Sequence, residues 1–330
     1  MKAWKIAAPV VVGCAALAAA AGEVVLRAAL GARKDRLEER PFTPELWSHG
    51  DAEIEASYRT NAEAILRFRQ EARQETAEII GQDGVPLSGY LYYAEQNTGK
   101  WAVILHGYRG DHRDMEGIAL EYVGRGYSVL LPDLRAHGTS GGKWVGMGWT
   151  DRMDLLCWLS YLIGRFGASI QIVLHGHSMG ATTILMAEGE TLPEQVRAAV
   201  SDCAYSDAWE ELRWQVRAPE PMKSALHVPR MLLMLHGGYD LRRTSAVEQV
   251  KKSSTPTLYI HGEDDTFVPT RMVHELYAAA AGDKELLLVP GAGHIQSKEK
   301  APALYYDSVF RFLARYVTEP TDAEQRNKAE

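Results

Sequence analysis

Beyond Gly99 the chain alternates short, continuous apolar runs with stretches whose apolar residues recur at helical spacing. The runs at 101–105, 127–131, 169–174, 197–201, 256–260 and 285–289 are too short for helices and lack the wet face of a half-exposed strand. The stretches at 115–123, 151–166, 181–188, 271–281 and 302–317 read as helices. Buried strands alternating with helices predict an α/β fold, with a mostly parallel central sheet and helices on both faces. Upstream, 76–80 and 87–93 flank Asp83-Gly84 and predict a hairpin, preceded by a helical period at 61–74 with Ala64, Ile65 and Phe68 on one face.

The rhythm breaks in two places. Between Tyr205 and Lys252 the sequence carries Trp209, Leu212, Trp214, Met222, Leu226, Met231, Leu233, Met234 and Leu235, which predicts a small helical cap inserted at about 205–252. Such a Met- and Leu-rich cap would give an apolar pocket able to rearrange around its ligand, most of these residues serving only to pack it on the domain. A third possibility is that the 231–235 run dips into a membrane beside an N-terminal anchor. The second break is the N-terminus, where Lys2 and Lys5 precede an uncharged Ala- and Val-rich run over 6–22. Its length is at the lower edge of what spans a hydrocarbon core, and a membrane anchor is the first reading. A secretory signal cleaved in the Ala18–Ala21 tract is the second, and the lipobox-like Val11-Val12-Gly13-Cys14 and a soluble Ala-rich helix are weaker ones. Orientation is contested: Arg27, Arg33, Lys34, Arg36 and Arg40 argue for a cytoplasmic C-terminal side, the short basic start before the apolar core for export. The chain thus divides into a hydrophobic segment (1–31), a linker and helix (32–75) whose charged start with Pro41 and Pro44 suits a stalk, a main α/β domain (76–318) and a polar tail (319–330).

Composition narrows the function classes. The net charge of −7 over 330 residues gives nucleic acid no electrostatic support. Cys14, Cys157 and Cys203 form no disulfide framework, and the last two are expected to be buried free thiols. No metal-ligand spacing such as H-E-x-x-H occurs, and no organic cofactor is implied.

The chemistry concentrates at strand ends. Gly176-His177-Ser178-Met179-Gly180 lies between an expected strand and an expected helix, the arrangement of a nucleophile elbow. The glycines allow a sharp turn, through close approach and through dihedrals open to Gly, and Ser178 stands at the start of a helix whose dipole favours negative charge. A serine hydroxyl needs a base oriented by a third group. His294, beyond the last strand in Gly291-Ala292-Gly293-His294, is the candidate base. Asp265, in His261-Gly262-Glu263-Asp264-Asp265, is the candidate acid; Glu263 and Asp264 read as loop charges, and Asp202 is an alternative acid. An oxyanion hole would use the backbone N–H of Met179 and of Tyr108, the latter in His106-Gly107-Tyr108-Arg109-Gly110 after the first parallel strand. His106, His177 and His261 read as loop-holding residues, and Ser140, in 133–142, as a minor rival nucleophile.

These motifs, in this order, resemble the α/β-hydrolase superfamily, and more closely its bacterial membrane-anchored members of the serine-peptidase/esterase-like group. The resemblance spans about 78–317 and includes Ser201-Asp202-Cys203-Ala204-Tyr205 and Gly238-Tyr239-Asp240. It implies an α/β-hydrolase fold, a Ser nucleophile, one N-terminal hydrophobic segment and a catalytic domain outside the cytoplasm. The function expected is a serine hydrolase that cleaves carboxylic esters of small, apolar acyl substrates through an acyl-enzyme, with Ser178, His294 and Asp265 as triad. An aminopeptidase-like amidase or an acyltransferase on the same site is the alternative. A non-catalytic membrane-bound binding module would be expected to show a broken triad. Epoxide hydrolase and dehalogenase chemistry would call for Asp at the elbow.

Overall fold

The computed structural model describes residues 17–32 and 51–318. Lys2, Lys5, Cys14 and most of the uncharged run, the stalk with Pro41 and Pro44, and the polar tail lie outside the described residues. The strands are β1 (Gln74–Ile80), β2 (Pro86–Tyr92), β3 (Lys100–Leu105), β4 (Ser128–Pro132), β5 (Gln171–His177), β6 (Val196–Asp202), β7 (Thr257–Gly262) and β8 (Lys284–Val289). They form one sheet in the order β1-β2-β4-β3-β5-β6-β7-β8. The β1–β2 hairpin and the β2–β4 pairing are antiparallel, and every pairing from β4 through β8 is parallel.

Among the described residues, the α-helices of five or more residues are α1 (17–30), α2 (Ala52–Glu71), α3 (Glu116–Val123), α4 (Asp151–Phe166), α5 (Met179–Ala187), α6 (Ala208–Gln215), α7 (His227–Gly237), α8 (Ala246–Val250), α9 (Arg271–Ala279) and α10 (Pro302–Leu313). Every residue of β3 is buried, as two-sided cover requires. Successive side chains alternate: Trp101, Val103 and Leu105 pack with Leu155, Trp158 and Leu159 of α4, whereas Ala102 and Ile104 pack with Ile118 and Tyr122 of α3 and Phe312 of α10. The fold is the α/β-hydrolase architecture with a helical insert.

Three features differ from the pattern-based expectation. Helix α2 begins at Ala52, nine residues before the expected start at 61, because Asp51 caps it by accepting from the Glu53 and Ile54 amides and because Ile54 is buried. Its charged first turns, with Glu53 and Glu55, concealed that apolar contact. In the insert, α8 belongs to the main domain: Ala246 and Val250 pack with Leu185 of α5 and Tyr259 of β7. The third concerns α1, whose Leu26 and Leu30 lie in the same core as β3 and α4. Cys203 is buried as expected, but Cys157 is only half-buried. No helix among the described residues is long and apolar enough to cross a membrane.

Candidate active site

Ser178 is the single residue between β5 and α5, and it carries φ 52° and ψ −116°. That strained conformation is held from both sides: the Ser178 amide donates to Asp202 O at 2.8 Å, and Ser178 O accepts from the Thr182 amide at 2.9 Å. The elbow glycines are required by close approach. A Cβ on Gly176 would lie 2.5 Å from Ala181 N, and one on Gly180 would lie 2.3 Å from Leu105 O. The positive φ falls on the serine, and neither Gly176 nor Gly180 has one.

His294 and Asp265 reach this point from the carboxyl ends of β8 and β7. The Ser178 hydroxyl stands 2.9 Å from His294 Nε2, placed to donate to it, and the His294 Nδ1–H side faces Asp265 Oδ2 at 2.7 Å. Gly262 lets the two loops meet, because a Cβ there would lie 2.2 Å from Ala292 O. Asp265 Oδ1 accepts from the Phe267 and Val268 amides at 2.9 and 2.8 Å, which aims its other oxygen at His294. Burial alone would raise the Asp265 carboxyl, but hydrogen bonds from His261 and His294 outweigh it and hold the group down at about 2. His261 Nε2 points at Val268 O (2.9 Å) and Asp265 Oδ2 (3.3 Å), so it braces the acid. Phe267 leans on the His294 ring, with centroids 4.8 Å apart.

The loop after β3 passes over Ser178: a Cβ on Gly107 would lie 3.4 Å from Ser178 Cβ. Among the described residues, the amides of Tyr108 and Met179 have no protein acceptor, while the next amide, of Arg109, donates to His137 Nε2 at 3.1 Å. Two unclaimed N–H groups beside Ser178, one of them at a helix N-terminus, suit an oxyanion. His106 and His137 hold the loop through both ring nitrogens. His106 Nε2 accepts from the Leu134 amide (2.9 Å), and the two Nδ1 atoms meet the carbonyls of Gly107 and Arg135, each at 2.8 Å.

The alternative residues are engaged elsewhere. Asp202 receives the Tyr305 hydroxyl (2.9 Å) and the Cys203 thiol (3.1 Å) and pairs with His177 (3.2 Å), so it braces the elbow from below and does not meet His294. Ser140 Oγ donates to Asp133 O at 2.6 Å and accepts from the Ser88 amide at 2.9 Å, which ties its loop to β2. Glu263 and Asp264 are exposed. His137 and Cys203 were not singled out by sequence reasoning as parts of the site. The Ile295 amide, directly after His294, donates to Cys203 Sγ at 3.3 Å. Cys203 Sγ, an Asp265 oxygen and a His294 nitrogen lie within 4.8 Å of one another, a spacing that could hold a metal ion. Burial pushes the Cys203 thiol well up, however, and both His294 nitrogens already face partners, so the donor set fits a metal poorly.

A cleft of about 370 Å³ opens beside His294. Phe267 and Ile54 give it an apolar side, while Gln215, Arg217, Thr266 and Gln296 give it a polar one. The cap closes over it through Trp214, whose indole N–H donates to Thr266 O (3.2 Å), and Gln215, which donates to Phe267 O (2.9 Å). Met231, Met234 and Leu235 do not line this cleft and are exposed.

The sequence and the fold both have counterparts among known proteins. The sequence is 30% identical to the uncharacterized protein YqkD of Bacillus subtilis over 246 residues, covering 74% of this chain and 80% of that protein. The fold is similar to the esterase Pf2001 of Pyrococcus furiosus (TM-score 0.62, 23% identity, 76% of this chain and 94% of that one). It is also similar to an acetyl xylan esterase from Paenibacillus sp. R4 (TM-score 0.57, 19% identity, 88% and 98%). The profile of the prolyl oligopeptidase family, Peptidase_S9, matches residues 117–320, a span that holds Ser178, Asp265 and His294. The chain belongs to the prolyl oligopeptidase family, within the α/β-hydrolase superfamily.

Proposed function

We propose that the protein is a serine hydrolase that cleaves carboxylic esters through an acyl-enzyme. The observation that carries this reading is the His294 ring, 2.9 Å from the Ser178 hydroxyl on one side and 2.7 Å from the Asp265 carboxylate on the other. Ser178 Oγ attacks the ester carbonyl while His294 Nε2 takes the hydroxyl proton, and Asp265 holds the resulting imidazolium. The tetrahedral oxygen sits against the Tyr108 and Met179 amides. Collapse breaks the bond to the alcohol, which leaves with the proton from His294. Water, deprotonated by the same ring, then releases the acid and restores Ser178. The acyl part packs on Phe267 and Ile54, and polar substituents face Gln215, Arg217 and Gln296.

Amide cleavage is the second reading, favoured by membership of a peptidase family. Comparing p-nitrophenyl esters of rising acyl length with aminoacyl anilides separates the two. Ester turnover should exceed anilide turnover at every length tested; the reverse order would make the protein an amidase.

A membrane location belongs to the same proposal: the uncharged run over 6–22 anchors the chain, with the catalytic domain outside the cytoplasm. The exposed apolar residues Leu17, Val24, Val25, Met231, Met234 and Leu235, on α1 and on α7, which lies against it, support this reading. Resistance to alkaline extraction, together with protease access in intact cells, is the expected result. Release into a soluble fraction would overturn it.

A further inference from the structure

Helix α1 was expected to be part of an anchor or a leader, yet its C-terminal half is built into the domain. Gly22, Leu26 and Leu30, four residues apart, form a buried stripe, with Leu26 and Leu30 only 2% and 5% exposed. At the start of the stripe α1 lies against the cap: a Cβ on Gly22 would be 2.5 Å from Val228 Cγ1 of α7, and Glu23 pairs with His236 at 3.4 Å. At the end of the stripe it meets the oxyanion loop. The last four carbonyls of a helix lack intrahelical partners, and here each has a named donor. Gly31 N donates to Arg27 O (3.1 Å), Arg109 Nη2 to Ala28 O (2.8 Å), the Tyr108 hydroxyl to Ala29 O, and Val145 N to Leu30 O (2.8 Å). Two of the four donors are therefore side chains of the loop that passes over Ser178. The Arg109 cation also sits at the negative end of the helix dipole. Ala32 N, donating to Lys143 O (2.9 Å), continues the attachment.

We infer that α1 is a positioning element of the active site, which locks the Tyr108–Arg109 segment and the cap helix α7 into one unit. What the segment does in catalysis rests on the serine-hydrolase reading; that α1 immobilises it does not. Tyr108 offers its amide toward the site while its hydroxyl is tied to α1, so the peptide cannot turn away without breaking that bond. Residues 17–21 are all exposed and make no part of the stripe. Cleavage within the Ala18–Ala21 tract would leave the lock whole, whereas cleavage after Leu30 would remove it.

The test uses the full chain and the substitution Leu26→Glu, which places a charge in the buried stripe, with Leu26→Met as the conservative control. In Leu26→Glu, kcat on a p-nitrophenyl ester should fall about tenfold or more with KM changed less than about threefold, and fluorophosphonate labelling of Ser178 should slow in parallel. Hydrogen exchange at the amides of 107–110 should accelerate, while exchange in the β1–β2 hairpin stays as in the wild type; Leu26→Met should match the wild type in all three. Wild-type labelling and wild-type exchange at 107–110 in Leu26→Glu would overturn the inference. If the wild type neither labels nor turns over ester, the hydrolase reading fails, and the exchange comparison still decides whether α1 holds the loop. Should Leu26→Glu not fold, Arg109→Met replaces it, because it removes the side-chain bond to Ala28 O, together with the guanidinium contact on the Tyr108 ring, and leaves the core untouched; unchanged exchange at 107–110 in that variant also overturns the inference.

Discussion

On the acid side of Ser178, Asp265 is gripped inside its own loop: its partners are His261, the Phe267 and Val268 amides, and His294 from the adjacent strand end. On the oxyanion side, Tyr108 and Arg109 are held by carbonyls 79 and 81 residues upstream, at the end of α1. The first half of the site is a product of the parallel sheet and its short connections. The second half is completed by a segment that lies outside the sheet altogether. Damage to the acid side should therefore act through the chemistry itself, and damage to the oxyanion side through order in a loop.

The largest effects should come from the acid side. His294→Ala removes the only group within reach of the Ser178 hydroxyl proton among the described residues, and Asp265→Asn leaves the ring without its anion. Each should lower kcat/KM by about 10⁴-fold in steady-state ester hydrolysis. Asp202→Asn should instead act mainly on stability, because Asp202 contacts His177, Cys203 and Tyr305 and not the base. If Asp202→Asn matched Asp265→Asn in kcat/KM, the assignment of the acid would be wrong.

Gly262→Ala should come next. Its Cβ would lie 2.2 Å from Ala292 O, so the acid and base loops must separate, and the expected loss is about 10²-fold in kcat/KM, since a misplacement of about 1 Å has that cost. A near-wild-type rate would show that the acid side is less rigid than its hydrogen bonds suggest. The α1 substitutions rank below it, because they loosen donors without removing them.

The two sides were also unequally legible in the sequence. Ser178, Asp265 and His294 sit just past predicted strands in short motifs, and local patterns report short-range geometry well. The glycines were legible as a turn, but their cause was not: nothing local says that Gly180 faces Leu105 O or that Gly262 faces Ala292 O. The docking of α1 was not legible. Its Ala- and Val-rich composition suits an anchor, a leader or a surface helix equally, and its partners in the 106–110 loop, at 143–145 and in α7 are remote in sequence. The start of α2 was missed because charges at Glu53 and Glu55 interrupt the apolar period that Ile54 begins. Likewise His137 gave no signal beyond its place in a turn-rich loop, since its role depends on the Arg109 amide arriving from another strand end.

The pH dependence of stability should sharpen the contrast with smaller effects. Asp265 is held at about 2 against an ordinary 3.8, so the stability it contributes is present above about pH 4 and is lost as pH falls toward 2. Denaturant melts across that window should show the loss, and Asp265→Asn should remove it. Glu211, on α6 of the cap, has the opposite sign. Burial raises it to about 7; the hydrogen bond from Gln215 lowers it, and repulsion from Asp265 adds to the rise. The native state therefore binds its proton more tightly than the unfolded chain, and stability falls as pH rises from about 4.5 to 7. Glu211→Gln should gain about 2 kcal/mol at pH 8 and almost nothing at pH 4 in the same melts. Equal gains at both pH values would remove Glu211 as the source of that pH dependence.

Whether Ser178 is the nucleophile is tested most directly by fluorophosphonate labelling, with the modified residue identified by mass spectrometry. The expected result is one adduct per chain, on Ser178, absent from Ser178→Ala and strongly slowed in His294→Ala. Labelling of Ser178→Ala at the wild-type rate, or an adduct on Ser140, would contradict it.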